Sequence, residues 1–196
     1  MSKIKFFAAA LCLAAGTLIS APLASAQDFL VVDISRVLTE SKAGQDIAAK
    51  VRQIGESMQS ELQPEQNALQ TEKSALDAKI QGKTQEEVRA DQALVAQGQA
   101  YSRKLQTFAA KSEKRSKELA ATERAALSNF AGKLKDSVEK IRVEKGAQLV
   151  FAKSEVYLAA DSIDVTDAVI TQLDKDAPTI AVTRVTLPDQ PARPAQ

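Results

Sequence analysis

Six cations lie within fifteen residues near the middle of the chain: Arg103, Lys104, Lys111, Lys114, Arg115 and Lys117, with Glu113 as the only acid among them. Fixed ammonium and guanidinium groups at helical spacing can gather carboxylates or phosphates. They are poor material for catalysis. The chain has no histidine, and its one cysteine is Cys12, so the usual general base, thiol nucleophile and soft metal ligands are missing from the remainder. It carries no glycine-rich phosphate loop and no G-x-S-x-G elbow. Adjacent acids such as Glu86 and Glu87 point to different sides of a helix. An enzyme is not expected, nor is any cofactor or metal.

The basic run has two readings. One is a positive lining that holds acidic polypeptide or lipid phosphate. The plainer one is a solvated helix face, partly neutralised by an opposing helix. If the chain reverses near Lys83, position 111 faces about 55 and position 104 about 62, near Glu56, Glu61 and Glu65. Nucleic acid suits the run less well, because no aromatics interleave with the charges to stack on bases.

The elements that must position these charges are long. Residues 42–145 read as amphipathic helix, broken at Gln81-Gly82-Lys83-Thr84, which predicts an antiparallel hairpin with its tip near 82–84. The first leg carries Ile47, Val51, Ile54, Met58, Leu62, Leu69, Leu76 and Ile80 as one thin apolar seam of the coiled-coil kind. Pro64 interrupts it, which predicts a kink or a fresh start near Gln63. Ser41 is a candidate cap with a soft beginning at Gly44. Thr84 and Glu87 form a capping-box pattern for the second leg. The second seam runs through Leu94, Tyr101, Leu105 and Phe108, then Leu127, Phe130, Leu134, Val138 and Ile141, with no apolar residue from Lys111 to Glu118. At about 1.5 Å per residue the legs would reach roughly 60 and 90 Å.

The ends of the chain supply the strands. Residues 1–26 read as a secretory signal peptide. Lys3 and Lys5 precede an apolar stretch, and Ala24-Ser25-Ala26 predicts cleavage after Ala26. A strand is expected over 28–33, followed by a short helical turn. Two more are expected over 148–152 and 155–159. Asp164 should cap a final helix with Val165, Ala168, Val169 and Leu173 inward. Residues 176–196 form a proline-rich tail, with a weak edge-strand pattern over 179–187 and its last nine residues disordered. Residues 27–41 and 146–175 thus make one discontinuous β-rich body. Three short strands and one helix are a poor core for a monomer. Association is expected to complete the body through Phe29, Val31, Leu149, Phe151, Val156 and Leu158. The fold class is α+β and mainly helical, with a long helical-hairpin arm projecting from a small β-barrel-like oligomerisation body.

The opening FLVVDISRVLTESKAGQ (29–45), the Gln/Lys/Glu-rich hairpin, and the close QLVFAKSEVYLAADSIDVTDAVITQLDK (148–175) together resemble the periplasmic chaperones of the Skp/OmpH type. The resemblance covers about residues 28–175, with moderately specific motifs at the ends and low complexity between. It implies a homotrimer whose helical arms surround a cavity. Such proteins hold unfolded outer-membrane proteins in the periplasm without ATP. It also implies lipopolysaccharide or an anionic membrane surface as a second partner, met by basic residues of the second leg near Lys111, Lys114, Arg115 and Lys117. The proline-rich tail departs from the family pattern. The competing expectation is an envelope adaptor that docks its hairpin on a partner, although the flanking β-modules of such adaptors are missing from the sequence.

Overall fold

A computed structural model describes residues 28–188. The expected signal peptide, residue 27 and residues 189–196 of the tail lie outside the described residues. Strand β1 (Phe29–Val32) leads into α1 (Ile34–Glu40) and then the first long helix, α2 (Lys42–Ile80). A turn and the short α3 (Gln85–Ala90) precede the second long helix, α4 (Gln92–Glu144). Strand β2 (Leu149–Ala152), two isolated 3-10 turns and α5 (Thr166–Asp176) close the body. With 39 and 53 residues, α2 and α4 are about 58 and 80 Å long.

Local chemistry sets the boundaries. Asp33 accepts the amide of Arg36 to start α1. Ser41, buried between α1 and α2, accepts the amide of Gly44. Gly44 is no soft start. A Cβ there would overlap the Leu38 carbonyl, so glycine is what lets the two helices meet at this corner. Lys42 donates its amide to Asp174 of α5. Helix α2 continues through Pro64 as one element, so the expected fresh start is not observed. An interior proline costs about 3 kcal/mol, but Ser60, whose carbonyl loses its helical partner, lies on an exposed face open to water.

The tip is where sequence spacing misleads. Gly82 does turn the chain, at φ 81°, and Thr84 with Glu87 does form a capping box. The helix that starts there stops at Ala90. Asp91 then starts α4 by accepting the amide of Leu94. The turn and α3 together use up about ten residues. Lys104 consequently faces Glu72 and Lys111 faces Glu65, rather than positions near 62 and 55.

At the other end α4 stops on Gly146, which takes a left-handed φ of 67°. The amides of Gly146 and Ala147 bond back to the carbonyls of Val143 and Arg142, a Schellman closure. The chain then enters β2, which pairs in parallel with β1 from Phe29↔Leu149 to Val32↔Ala152. The third strand expected over 155–159 does not form. Lys153–Glu155 coils into a 3-10 turn held by the Lys153–Asp164 ion pair, which leads the chain off the sheet edge. Beyond it Val156 is half-buried, while Tyr157 and Leu158 stand 98% and 84% exposed. The observed sheet has two strands, and a barrel is not seen in this single copy.

One core joins these parts. Leu30 and Val32 from β1, Ile47 from α2, Phe130, Leu134 and Ile141 from α4, Val165 just before α5, and Val169 and Leu173 from α5 pack together. Asp164 accepts both the amide and the hydroxyl of Thr166. The N-cap of α5 is Val165 and not the expected Asp164; Val165 makes no side-chain bond, and Asp164 serves the first helical amide from one residue ahead of it. The tail also differs from expectation. Ala177 and Ile180 enter the core. Residues 178–188 then lie extended along the arm, bonded to helix side chains instead of to a strand edge.

Candidate functional site

The buried face of α4 descends from the body in steps of three and four: Ile141, Ser137, Leu134, Phe130, Ala126, Thr122, Glu118. Its last two members are polar. They fall where the apolar seam lapses, and they hold the tail. Thr122 accepts the amide of Val185 at 2.9 Å, and Glu118 accepts the amide of Leu187 at 3.0 Å. Further up, Asp46 accepts the amide of Ile180 and Asn129 donates to the carbonyl of Ala181. The tail therefore runs antiparallel to α4.

Glu118 is fully buried. Burial alone would push its carboxyl up. The Arg115 guanidinium at 2.6 Å, the Leu187 amide and nearby Lys114 overcome that and hold it below the usual carboxylate range. Arg184 reaches from the tail to Glu61 on α2 and stands 3.7 Å from Glu118. Glu61 in turn meets Arg115 at 3.2 Å. The hydrogen bond from Arg184 keeps the Glu61 carboxyl low. Two acids and two guanidiniums thus tie together α2, α4 and the tail. Removing one member would strand the others in a half-dry site.

The structure gathers part of the basic run around this cluster. Lys111, Lys114, Arg115 and Lys117 line one groove with Thr107, Ala110 and Glu113, and Leu187 and Pro188 form its end. Arg103 and Lys104 line a neighbouring groove beside Glu65, Leu69 and Glu72. Most of these charges are answered within the chain. Lys104 pairs with Glu72, Lys111 with Glu65 and Lys117 with Glu113. Of the three acids expected opposite the run, Glu61 and Glu65 take part. The surface is positive but already partnered, so an anionic ligand would compete with internal carboxylates. Sequence reasoning missed Glu118, Thr122 and Arg184. Following the four-residue ladder from Phe130 into the polar stretch would have reached the first two.

A second surface lies on the body. Leu30 and Val32 face the core, while Phe29, Leu149 and Phe151 stand half-exposed on the other face. The rings of Phe29 and Phe151 lie 6.2 Å apart. Val31 shares that face but is buried. On its far side β1 touches Asp164 through one bridge, at Val31. The other edge of β2 is unpaired among the described residues. Parallel pairs are normally covered on both faces.

Among the described residues no group of acids could hold a metal ion, and no helix is long and apolar enough to cross a membrane.

Comparison with known proteins agrees with this architecture. The crystal structure of a candidate outer membrane chaperone (OmpH-like) from Caulobacter crescentus CB15 superposes with a TM-score of 0.71 at 28% identity, covering 83% of this chain and 93% of the other. No curated protein sequence matches. The model of one family, described as outer membrane protein (OmpH-like), matches residues 28–173, which span β1, both legs of the arm, β2 and most of α5. The chain belongs to the OmpH-like family.

Proposed function

We propose that this protein is an ATP-independent holdase of the periplasm. It would bind unfolded outer-membrane β-barrel proteins between its arms and prevent their aggregation before membrane insertion. The observation that carries this reading is the outer half of the arm. Its two helices share a seam of single residues, Leu69, Leu76 and Leu94, and leave Ile80, Val95 and Leu105 half-exposed. Scattered apolar contacts beside partnered charges give weak, repeated, shape-tolerant binding. Such binding can hold non-native chains and release them without nucleotide hydrolysis. The body supports an oligomer. Phe29, Leu149 and Phe151 on an unfinished parallel sheet, together with exposed Tyr157 and Leu158, match what neighbouring copies would cover. In a homotrimer, three arms would enclose one cavity, with residues 103–117 as part of its lining. Those cations would also be the meeting point for lipopolysaccharide or an anionic membrane surface.

Diluting a urea-unfolded outer-membrane barrel protein tests the reading. With a slight excess of trimer, light scattering should stay near baseline. Scattering equal to that of the client alone would refute the holdase assignment. Sedimentation equilibrium tests the assembly, and a stable monomer at micromolar concentration would refute the trimer.

A further inference from the structure

The arm is already holding one extended polypeptide, its own tail. Val185 and Leu187 are two residues apart in extended chain, a span of about 6.6 Å. Their amides are received by Thr122 and Glu118, one turn apart on α4, a rise of about 6 Å. The two periods match closely enough for an extended backbone to dock antiparallel along the helix. In these bonds the tail offers main-chain N–H groups, which any residue but proline supplies. The groove adds one side-chain discriminator, the Glu61 and Glu118 pair that receives Arg184. It opens at Pro188 into the groove lined by Lys111, Lys114, Arg115 and Lys117.

We propose that the groove between α2 and α4 at Glu61, Glu118 and Thr122 is a binding site for extended polypeptide, occupied in this chain by residues 183–188 acting as a displaceable occupant. The site rests on the holdase reading, because the competing ligand is a segment of an unfolded client. Backbone-directed acceptors explain how one groove could take clients of many sequences. Displacement would expose the buried carboxylate of Glu118 and free Arg184 from the arm, leaving Ile180 and Val182 seated on the core.

The test compares the full chain with a chain ending at Val182, which keeps those two anchors. The probe is a fluorescein-labelled peptide of residues 182–188, read by anisotropy. The shortened chain should bind it at least tenfold more tightly than the full chain, and an excess of unfolded barrel protein should displace it. In the full-length background, Arg184→Ala should raise probe affinity several-fold by loosening the occupant, so a folding defect in the shortened chain leaves a second measurement. Equal, undetectable probe binding by all three proteins would overturn the proposal. So would a client that is held without displacing the probe. In either case suppression of aggregation by the full chain would leave the holdase reading standing. Loss of suppression with normal probe binding would separate the groove from that function.

Discussion

The two halves of the arm are built from the same pair of helices and differ in what covers them. Near the body, α2 and α4 carry a third layer, first α5 and then the tail. Their facing side chains are sealed there: Ile47, Ala126, Phe130 and Leu134 in the apolar part, Glu118 and Thr122 in the polar part. Toward the tip, among the described residues, no third layer covers the pair. The two legs share Leu69, Leu76 and Leu94, and the rest of the contact is ion pairs in solvent such as Lys104–Glu72. A two-helix seam cannot bury much apolar surface per residue, so stability is concentrated at the root and compliance at the tip.

That contrast can be broken first with core deletions. Leu173→Ala, at a fully buried site on α5, should lower unfolding free energy by about 2–5 kcal/mol in urea titrations. Leu76→Ala near the tip should cost distinctly less, since the thin seam can close around the gap. Equal costs would show that the halves are equally well packed. Acid sharpens the comparison next. Asp164 is pushed up by burial but held down more strongly by Lys153 and Thr166, to a pKa of about 2. A carboxylate with a lowered folded pKa stabilises the fold above its unfolded value near 4. That contribution disappears as pH falls toward 2. The loss should be about 2 kcal/mol, and Asp164→Asn should flatten this part of the pH profile.

The polar cluster should respond less than the core and more than the surface. Glu118→Gln should cost about 1.5 kcal/mol, because the two guanidiniums keep a neutral acceptor in place of a charged one. Thermal melts should show this loss with little change on adding salt. Replacing Lys104 with Ala should give the smallest effect, below about 0.5 kcal/mol and vanishing in 0.5 M salt, as expected of an exposed pair. If Lys104→Ala cost as much as Glu118→Gln, the outer half would be more ordered than its exposure implies.

Much of this arrangement could be read from the sequence. Apolar periodicity located both legs, Gly82 and the Thr84–Glu87 box located the turn, and short apolar runs with β-type side chains at 29–32 and 149–152 located the strands. The errors have local causes. In sequence Asp91 cannot be told from an aspartate on a helix surface, so the second helix start looked like continuous helix and the facing register slipped by ten. Val156-Tyr157-Leu158 has strand-forming side chains, but propensity does not say whether a partner edge is within reach. The tail carries four prolines from 178 onward and read as a weak edge strand over 179–187 followed by disorder. Its order comes from Asp46, Glu118 and Thr122, far away in sequence, and no local pattern announces such acceptors. The basic run was correctly placed on one leg, but how completely Glu65 and Glu72 answer it depends on the register.

The parallel pairing of Phe29 with Leu149 has a kinetic consequence. Partners about 120 positions apart would ordinarily be slow to find each other, because a long loop must close before any contact rewards it. Here the intervening chain can zip from Gly82 toward the root, each turn of helix shortening the loop still open. The sheet should therefore be among the last parts to form. During synthesis Phe29 and Val31 must wait for the entire hairpin before their partner strand exists. Until then the nascent chain carries an unpaired strand, with the apolar side chains of Phe29, Leu30, Val31 and Val32 uncovered.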